Sequence, residues 1–378
     1  MTHPMCDDIP QHIAHLTSVH SRYDTRIFRK LCNSLADAGY AVSLVVADGK
    51  GDERCSNGVR IVDAGRSTGR LRRMIEATRR VGARARELNA DLYHLHDPEL
   101  MPLGLALKRR GKRVVFDFHE DVPKQLLSKP YLNPWMLHVI SAIFARYEKR
   151  AAGKLDAVIG ATPIITEKFR GKAKRLANIN NFPRLGELES TLPSGEKANE
   201  VAYVGGISET RGILPLVRSL ERTKSDVRLN LAGKFESSSF EQVLKSSEGW
   251  QSVNELGFLD REGVRDLLSR SILGVVTLLP TPAYLDALPV KMFEYMSAGI
   301  PVIASDFPLW REIIVGHDCG LCVDPEDPDA IAAAIDALVS DRERAEQMGR
   351  NGRRAVHEIF NWSIEERKLL QLYTDILA

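Results

Sequence analysis

The feature that most constrains the fold is an alternation of short apolar runs with amphipathic stretches, which occurs twice along the chain. The apolar runs have the length and the β-branched content of buried strands, and the segments between them place apolar residues at helical spacing. Alternating strands and helices predict a parallel sheet with helices on both faces. The runs that we interpret as strands are HIAHLTS, AVSLVVAD, GVRIVDA, DLYHLH, RVVFDFH and LDAVIGA, followed by EVAYVGG, VRLNLAG, SVNELG, ILGVVTLL, PVIAS and GLCV.

The break between the two series predicts two domains. The polar segment ESTLPSGEKANE separates them, and 378 residues exceed the size at which one hydrophobic core keeps growing. We predict an N-terminal Rossmann-like domain over 1–189, a linker over 190–199 and a C-terminal Rossmann-like domain over 200–362. The apolar residues of the last helix, 363–378, predict that it packs back on the first domain. The predicted fold class is α/β, with two doubly wound domains that face each other across a cleft and bind ligands at the carboxyl ends of their strands.

Composition narrows the class of protein. Charged residues make up 27% of the chain and the net charge is +2, which describes a folded protein without the strongly basic character of a nucleic-acid binder. The chain shows no signal peptide and no apolar run of about 18 residues that spans a bilayer, so we expect it in the cytoplasm. Five cysteines form no disulfide framework. Cys319 and Cys322 form a CxxC without a second ligand pair for zinc, and we interpret them as packing thiols.

The segment VAYVGGISETRGILPLVRSL predicts a strand, a glycine turn and a helix. Gly205 and Gly206 would let a ligand approach the backbone closely, and Arg211 stands at the helix start. This arrangement suits an anion such as a diphosphate. A plain turn with a surface arginine explains the same residues, so both interpretations stay open.

The segment DALPVKMFEYMSAGIPVIAS places two acids around the start of a short helix. Pro289 suits the first helical turn, and the backbone amides near Leu288 and Val290 would be free to point at a phosphate. Glu294 lies about one turn into the helix, where its carboxylate can accept from both hydroxyls of a ribose. The alternative is that Glu294 is a solvated helix residue and Asp286 a loop acid.

This segment, continued through GHDCGLCVDPEDPDAIAAAI, resembles the signature of the retaining GT-B glycosyltransferases of family 4. That signature has two acids separated by seven residues, a Gly-x-Pro-Val, a glutamate and a G-x-x-x-G-x-x-V-x-P-x-D element. VAYVGGISETRG and LNLAGKF precede it in the expected order, and DFHED resembles the His-containing loop of the family. The resemblance implies a GT-B fold and hexosyl transfer from a UDP- or GDP-sugar to a glycan or lipid-linked acceptor, with retention of configuration, in polysaccharide or other surface glycan synthesis.

The resemblance also implies roles for single residues. Glu294 is expected on the ribose, and Asp286, where most members have Glu, near the donor sugar. Arg211 takes the place of a basic residue on the diphosphate, whereas Ile207 stands about where many members have a first arginine. His119 is expected on the donor sugar and completes the catalytic set with Asp286 and Arg211.

Further donor contacts follow from the same resemblance. Lys291 or Lys234 would supply the missing cation, and Gly257 and Phe258 would lie near the base. The complete predicted donor-binding set is Glu294, Gly205, Gly206, Lys234, Gly257, Phe258, Leu288, Val290 and Lys291.

No metal ligand and no cofactor are predicted, since the nucleotide sugar is a substrate. Asp327 and Asp329 have the spacing of a metal-binding DxD, but they open a predicted helix, where aspartates cap the free amides.

Residues 66–86 hold eight arginines against one acid, Glu76. An inward stripe, formed by Leu71, Met74, Ile75, Val81 and Leu88, makes the arginines a solvated face. Such a face can also rest on an anionic membrane, so a peripheral position at the inner face of the plasma membrane stays open. No aromatic platform accompanies these charges, and no nucleic-acid partner is predicted.

Two other functions remain open from the sequence. A nucleotide-sugar epimerase on a GT-B-like scaffold would act without an acceptor. A non-catalytic nucleotide-sugar binding protein would hold the donor without turnover.

Overall fold

The computed structural model describes residues 10–67, 69, 73–127, 133–189 and 197–378. The chain forms two compact units, Met1–Asn181 with Glu365–Ala378, and Phe182–Ile364. The second unit begins before the predicted residue 200, because Phe182 and Leu188 are buried in its core. The predicted linker at 190–199 lies mostly outside the described residues and stays a prediction.

The sheet of the first domain has the strand order β3-β4-β2-β1-β5-β6-β7-β8, parallel except for the β3/β4 pair. All six predicted strands of this half are present. The short edge strands β3 and β8 were not predicted, because two or three residues carry no detectable periodicity. The strands are β1 His12–Leu16, β2 Ala41–Val46, β3 Glu53–Arg54, β4 Arg60–Asp63, β5 Leu92–Leu95, β6 Arg113–Phe118, β7 Ala157–Gly160 and β8 Leu176–Asn178.

Helices connect these strands, and two of them open with a π-helical turn. Asp24 caps the first turn, because its carboxylate accepts from the amides of Arg26 and Ile27 at 2.9 and 2.8 Å. The helices are α1 Asn33–Asp37 after the π-helical Ile27–Cys32, α2 Thr78–Leu88 after the π-helical Arg73–Ala77, α3 Met101–Arg109, α4 Val122–Leu127, α5 Pro134–Ala152 and α6 Pro163–Glu167.

The predicted inward stripe of residues 66–86 is only partly correct. Val81 is buried, but Met74 and Ile75 are exposed, and Leu71 lies outside the described residues. The π-helical turn explains the error, since its wider spacing rotates these side chains away from the face that 3.6-residue spacing predicts.

The first sheet has two different faces. One face packs an apolar core around Leu16, Tyr93 and Phe116. On the other, His15 of β1 lies opposite His94 of β5. His96 follows His94 by two residues and so points to the same side.

The second domain has a six-stranded sheet, parallel throughout, in the order β11-β10-β9-β12-β13-β14. All six predicted strands are present, and β9 lies at the centre beside β12. The strands are β9 Glu200–Val204, β10 Arg228–Ala232, β11 Val253–Gly257, β12 Leu273–Val276, β13 Val302–Ser305 and β14 Gly320–Val323.

Seven helices of the described residues belong to this sheet, and α10 follows the loop that leaves β12. They are α7 Ile213–Ser219, α8 Ser238–Lys245, α9 Arg261–Arg270, α10 Val290–Ala298, α11 Pro308–Ile314, α12 Pro328–Ser340 and α13 Arg342–Glu358.

The last helix, α14 Trp362–Leu377, lies in the first unit from Glu365 onward. Glu365 is buried there and accepts from the backbone amide of Asn180 at 2.9 Å. Tyr373 is also buried, and its hydroxyl lies 2.6 Å from Nδ1 of His94.

Candidate active site

The turn after β9 is shaped around a buried lysine. Gly205 has a φ of +141°, and a Cβ at this position would lie 2.5 Å from Nζ of Lys291. Lys291 stands in the first turn of α10 and is only 9% exposed. The backbone conformation favours glycine at 205, and the ammonium group occupies the space where a side chain would begin.

Lys291 has a neutral hydrogen-bond partner. Its ammonium donates to the hydroxyl of Tyr203 at 3.2 Å and lies 4.4 Å from the centre of the Tyr203 ring. The tyrosine hydroxyl in turn donates to the carbonyl of Gly206 at 2.7 Å. Among the described residues, no carboxylate lies within ion-pair distance of Lys291.

Burial and the nearby charge of Arg211 lower the pKa of Lys291 to about 7, against the opposite effect of Glu294. Burial also raises the pKa of Tyr203 to about 12, although Arg211 works against this shift. Lys291 and Arg211 thus repel each other around the Gly205–Gly206 turn. An anion bound between these cations would relieve the repulsion and favour a charged lysine.

Ile207 and Gly206 differ in what their side-chain positions face. Ile207 is 1% exposed and pairs with Phe235 in an isolated β-bridge, so its side chain belongs to the core. A Cβ at Gly206 would instead lie 3.5 Å from Nε of Arg211. Position 206 is therefore the one next to Arg211, and Lys291 reaches the turn from α10.

Lys234 and Phe258, predicted on the diphosphate and near the base, lie together. Phe258 is 73% exposed, and Nζ of Lys234 lies 5.4 Å from its ring centre. Gly257 ends β11, and its carbonyl accepts from the amide of Gly233 at 2.7 Å. An exposed aromatic ring beside a lysine offers a surface on which a base can stack.

The loop before α10 holds the other predicted residues. The amide of Ala287 donates to the carbonyl of Tyr284, and the indole of Trp310 donates to the carbonyl of Ala287 at 2.7 Å. These bonds hold Ala287, the residue between Asp286 and Leu288, which are both half-buried. Since α10 begins at Val290, its first amides have no partner within the helix.

Glu294 is not a solvated helix residue. Its side chain is 13% exposed, and its Oε1 accepts from Nη1 of Arg261 at 2.6 Å. Arg261 also donates from Nε to Glu187 at 2.8 Å. Burial works to lower the pKa of Arg261, but Glu294 and Glu187 raise it overall.

In the first domain, His119 lies in a buried polar cluster. Asp117 receives a bidentate ion pair from Arg26 at 2.8 and 2.9 Å. Nδ1 of His119 and Nδ1 of His96 lie 3.6 and 3.5 Å from Asp117 Oδ2. Burial lowers the pKa of His119 below its usual range. A neutral His119 can both donate and accept a hydrogen bond.

Two groups in this cluster have the composition of metal ligands, His15/His94/His96 and His96/Asp117/His119. One nitrogen of each ring in the first group is already hydrogen-bonded, through His15–His96 at 3.0 Å and His94–Tyr373 at 2.6 Å. In the second group, the guanidinium of Arg26 beside Asp117 opposes a further cation. We assign a metal to neither group.

Comparisons with known protein families give matches in both halves of the chain. The profile of the Glycosyl transferases group 1 family matches residues 187–355, and that of the Glycosyl transferase 4-like domain matches residues 25–179. Together they cover most of the protein. The chain belongs to the group 1 glycosyl transferases. It is a glycosyltransferase of the retaining family 4, which uses nucleotide-sugar donors.

Curated relatives of this glycosyltransferase include two from Mycolicibacterium smegmatis. A phosphatidyl-myo-inositol mannosyltransferase is 24% identical over 92% of this chain and 88% of its own length. An alpha-maltose-1-phosphate synthase is 30% identical over 47% of this chain. The alignment spans 48% of that synthase.

Solved structures confirm the GT-B fold of the glycosyltransferase. Sucrose-phosphate synthase from Thermosynechococcus elongatus has a TM-score of 0.79 at 21% identity, over 97% of this chain and 99% of that chain. The Anabaena protein HepE, in complex with UDP and glucose, has a TM-score of 0.72 at 16% identity, over 97% and 100% of the two chains.

Two features of the glycosyltransferase agree with their predicted local roles. Asp327 caps α12, because its carboxylate accepts from the amide of Asp329 at 2.9 Å. Cys319 and Cys322 are both free thiols, and burial raises their pKa values to about 12 and 11. In the described part of the chain, no helix has the length and apolar character needed to cross a bilayer.

Sequence reasoning missed Tyr203, Arg261 and Glu187. Nothing in the sequence distinguishes Tyr203 from the other residues of the strand EVAYVGG. Arg261 is likewise a common kind of charged residue at a helix start. The one available signal was the strand alternation that turns Tyr203 to the same side as Gly205.

Proposed function

We propose that this glycosyltransferase transfers a hexose from a UDP- or GDP-sugar to a glycan or lipid-linked acceptor, in surface glycan synthesis. The observation that carries the proposal is the convergence of Lys291 and Arg211 on the Gly205–Gly206 turn at the carboxyl end of β9. Ligands of doubly wound sheets bind at this end of the strands.

The diphosphate of the donor binds between Lys291, Arg211 and the first amides of α10. A helix start offers free N–H groups and a favourable dipole to phosphate oxygens. Lys291 becomes fully charged when the anion binds, since the anion offsets the burial and the repulsion that lower its pKa. These fixed groups then stabilise the negative charge that grows on the leaving diphosphate.

Glu294 binds the ribose. Arg261 holds its Oε1 at 2.6 Å, which orients the carboxylate and leaves Oε2 to accept from a ribose hydroxyl. Phe258 and Lys234 carry the base, supported by the exposure of the ring and the lysine beside it. Asp286 contacts hydroxyls of the donor sugar, and the loop bonds at Ala287 limit the movement of its backbone.

His119 acts on the donor sugar as a neutral imidazole. The carboxylate of Asp117 lies 3.6 Å from its Nδ1 and favours a proton there, so Nε2 is the acceptor nitrogen and is directed at Nδ1 of His96 rather than at the sugar. His96 lies 3.3 Å from that Nε2 and fixes the ring from the buried side. Orientation of the sugar, and not proton transfer, is the role that this environment supports.

The names of two relatives guide the choice of substrates. The HepE structure contains UDP and glucose, which supports a uridine nucleotide as the first donor to test. The mannosyltransferase is named for phosphatidyl-myo-inositol, which supports a lipid-linked acceptor.

Thermal shifts with UDP, GDP, ADP and their hexose derivatives test the proposal. A ligand at about 100 times its Kd stabilises the native state by roughly 2.7 kcal/mol, so one base should stand out. Transfer to a lipid extract is then followed with the preferred donor. Binding without turnover would support a non-catalytic binding protein, and conversion of the donor without an acceptor would support an epimerase.

Glu294→Gln sharpens the test of the ribose contact. The amide keeps one acceptor oxygen, so we expect donor binding to weaken by about 1.5 kcal/mol, the lower end for hydrogen bonds to charged groups. Glu312→Gln on the exposed surface of α11 is the matched control. Unchanged kinetics and nucleotide affinity in Glu294→Gln would remove Glu294 from the site.

A further inference from the structure

The first half of α5 exposes an apolar face. Trp135, Val139 and Ile143 are 64%, 47% and 63% exposed. Met136 and Ile140 are also exposed. Their spacing of three and four residues places them on one side of the helix. Large apolar side chains that cluster in this way on a surface mark an interaction site.

The same face becomes basic in the second half of α5. Arg146 and Arg150 continue the row of Trp135, Val139 and Ile143 at helical spacing, with Lys149 beside them. The acidic residue of the helix, Glu148, is 1% exposed and does not offset these charges at the surface. Within the described residues, none of the three basic side chains has a carboxylate at ion-pair distance.

The opposite side of α5 is fixed to the domain. Leu137 is buried, and the hydroxyl of the buried Ser141 donates to the carbonyl of Pro123 in α4 at 2.8 Å. The apolar face therefore points away from α4. The loop that carries His119 leads directly into α4, so this helix pair follows the carboxyl end of β6.

We propose that residues 135–150 dock the first domain onto an anionic phospholipid bilayer. Helices that lie in the membrane interface combine an apolar face rich in Trp and Leu-like residues with Lys and Arg. Tryptophan favours the interface between headgroups and chains, where Trp135 would sit. Arg146, Lys149 and Arg150 would face anionic headgroups. This inference rests on the proposed function and extends it, because docking would place the acceptor domain on the membrane that holds a lipid-linked acceptor.

The basic stretch 66–86 is a weaker candidate for this contact. Arg84 is bound to Asp52 and Glu87, and Arg80 donates to Ser67. Residues 68 and 70–72 lie outside the described structure. Membrane contact through this stretch stays a prediction, and Arg79→Gln with Arg86→Gln tests it separately.

Tryptophan fluorescence measures docking on phosphatidylcholine vesicles with and without phosphatidylglycerol. Trp310 and Trp362 are buried and Trp250 is half-buried, so Trp135 is the most exposed of the four tryptophans. We expect its emission to shift to the blue with the anionic vesicles and much less with phosphatidylcholine alone. Co-sedimentation gives the partition coefficient.

Paired substitutions locate the surface. Val139→Glu with Ile143→Glu should reduce the partition at least tenfold, since charge replaces apolar contact. Arg146→Gln with Arg150→Gln should reduce it about thirtyfold, because each basic residue near anionic lipid contributes about a factor of five. Val243→Glu with Val315→Glu, at exposed positions of the second domain, is the matched control and should bind like the wild type. Circular dichroism verifies folding.

Equal partition of Val139→Glu/Ile143→Glu and the wild type would overturn the proposal. So would loss of binding in Arg79→Gln/Arg86→Gln alone. Self-association that disappears in Val139→Glu/Ile143→Glu, without vesicle binding by the wild type, would assign the face to a second copy of the chain. These measurements need no donor, so their failure is distinct from a failure of nucleotide binding.

Discussion

The two domains are built on the same kind of parallel sheet, but they differ in how many charged side chains they bury and in the partners of those side chains. In the described part of the second domain, Lys291 is the only charged side chain that is buried. Among its described residues, the first domain buries eight, namely Arg22, Arg26, Lys30, Asp97, Asp117, Asp121, Glu148 and Glu365.

Pairing distinguishes Lys291 from most of the charges buried in the first domain. Arg26 is held by Asp117, Arg22 by Asp48, and Asp121 by Lys168, each at 2.7 to 2.9 Å. Such pairs stabilise little against apolar substitutes, but removal of one member leaves an uncompensated charge. Lys291 has a neutral hydroxyl as its hydrogen-bond partner, and the charges that affect its pKa are Arg211, which lowers it, and Glu294, which raises it without lying at ion-pair distance. A buried charge without an acid partner therefore marks a ligand site better than burial alone does.

The largest expected effect is in the first domain. Asp117→Ala leaves Arg26 buried and unpaired, which should lower the stability of this domain by about 3 to 5 kcal/mol. Hydrogen exchange of the β1 and β6 amides measures the loss, with β9 and β12 as an internal reference. Asp52→Ala, which removes an exposed partner of Arg84, should cost less than about 1 kcal/mol. Similar effects of the two substitutions would contradict the distinction between paired and exposed charges.

Lys291→Met tests the buried charge of the second domain, which has no acidic partner at ion-pair distance among the described residues. We expect the Kd for UDP to rise about a hundredfold, roughly 3 kcal/mol, since the ammonium binds its anion away from competing water. Stability should not fall, because the substitution removes a buried cation. Titration calorimetry and thermal unfolding measure the two quantities, with Lys245→Met on α8 as the control. A destabilised variant with normal UDP affinity would make Lys291 structural.

The pH dependence follows from the direction of the Lys291 shift. The pKa of the free lysine is lowered to about 7, and a bound diphosphate raises it again. UDP affinity should therefore be greatest below pH 7 and decrease as the pH rises through 7, because binding then requires proton uptake. Calorimetry in buffers of different ionisation enthalpy measures this uptake at pH 8. Lys291→Met should abolish it.

Glu148→Gln has an intermediate effect, confined to high pH. Burial raises the pKa of Glu148 to about 7 from 4.5, despite the opposing charge of Lys168. The native state then loses stability as the pH rises from 4.5 through 7, since ionisation is easier in the unfolded chain. We expect the glutamine variant to be more stable by about 2 kcal/mol at pH 8 and equal at pH 4. Thermal unfolding against pH measures this, with the exposed Glu167→Gln as control. A pH-independent difference would assign the effect to packing.

The smallest effect is expected for Asp327→Asn with Asp329→Asn. Asn caps a helix nearly as well as Asp, and Asp329 pairs with Arg222 only at the surface, so stability should change by less than about 1 kcal/mol. Transfer should persist in excess EDTA, since the proposed site neutralises the diphosphate with protein cations. Loss of activity with the chelator, restored by Mn²⁺ or Mg²⁺, would reopen every phosphate-binding assignment made here.

Local patterns predicted the elements of the fold well. All twelve strands predicted from apolar runs are present, and Asp327 caps a helix as its position in the sequence predicted. These features depend on neighbours within a few residues, which the order of the chain specifies. The same logic failed at Met74 and Ile75, where a π-helical turn changes the spacing.

The partners of the site residues could be identified only from the tertiary structure. The segment from Asp286 to Glu294 was recognisable in the sequence, but the partners that decide its chemistry come from elsewhere. Tyr203 and Gly205 reach Lys291 from β9, and Arg261 reaches Glu294 from α9.

By itself, the sequence determined the alternation of strands and helices, the family and the residues that carry its signature. Only the tertiary structure decided which charges are paired. It joined Arg26 to Asp117 and His94 to Tyr373, across 91 and 279 positions of the chain, while it left Lys291 with a neutral partner. The physical reason is that a periodic pattern specifies which face of an element is buried, whereas the charge of a buried group depends on side chains that only packing brings within a few ångströms.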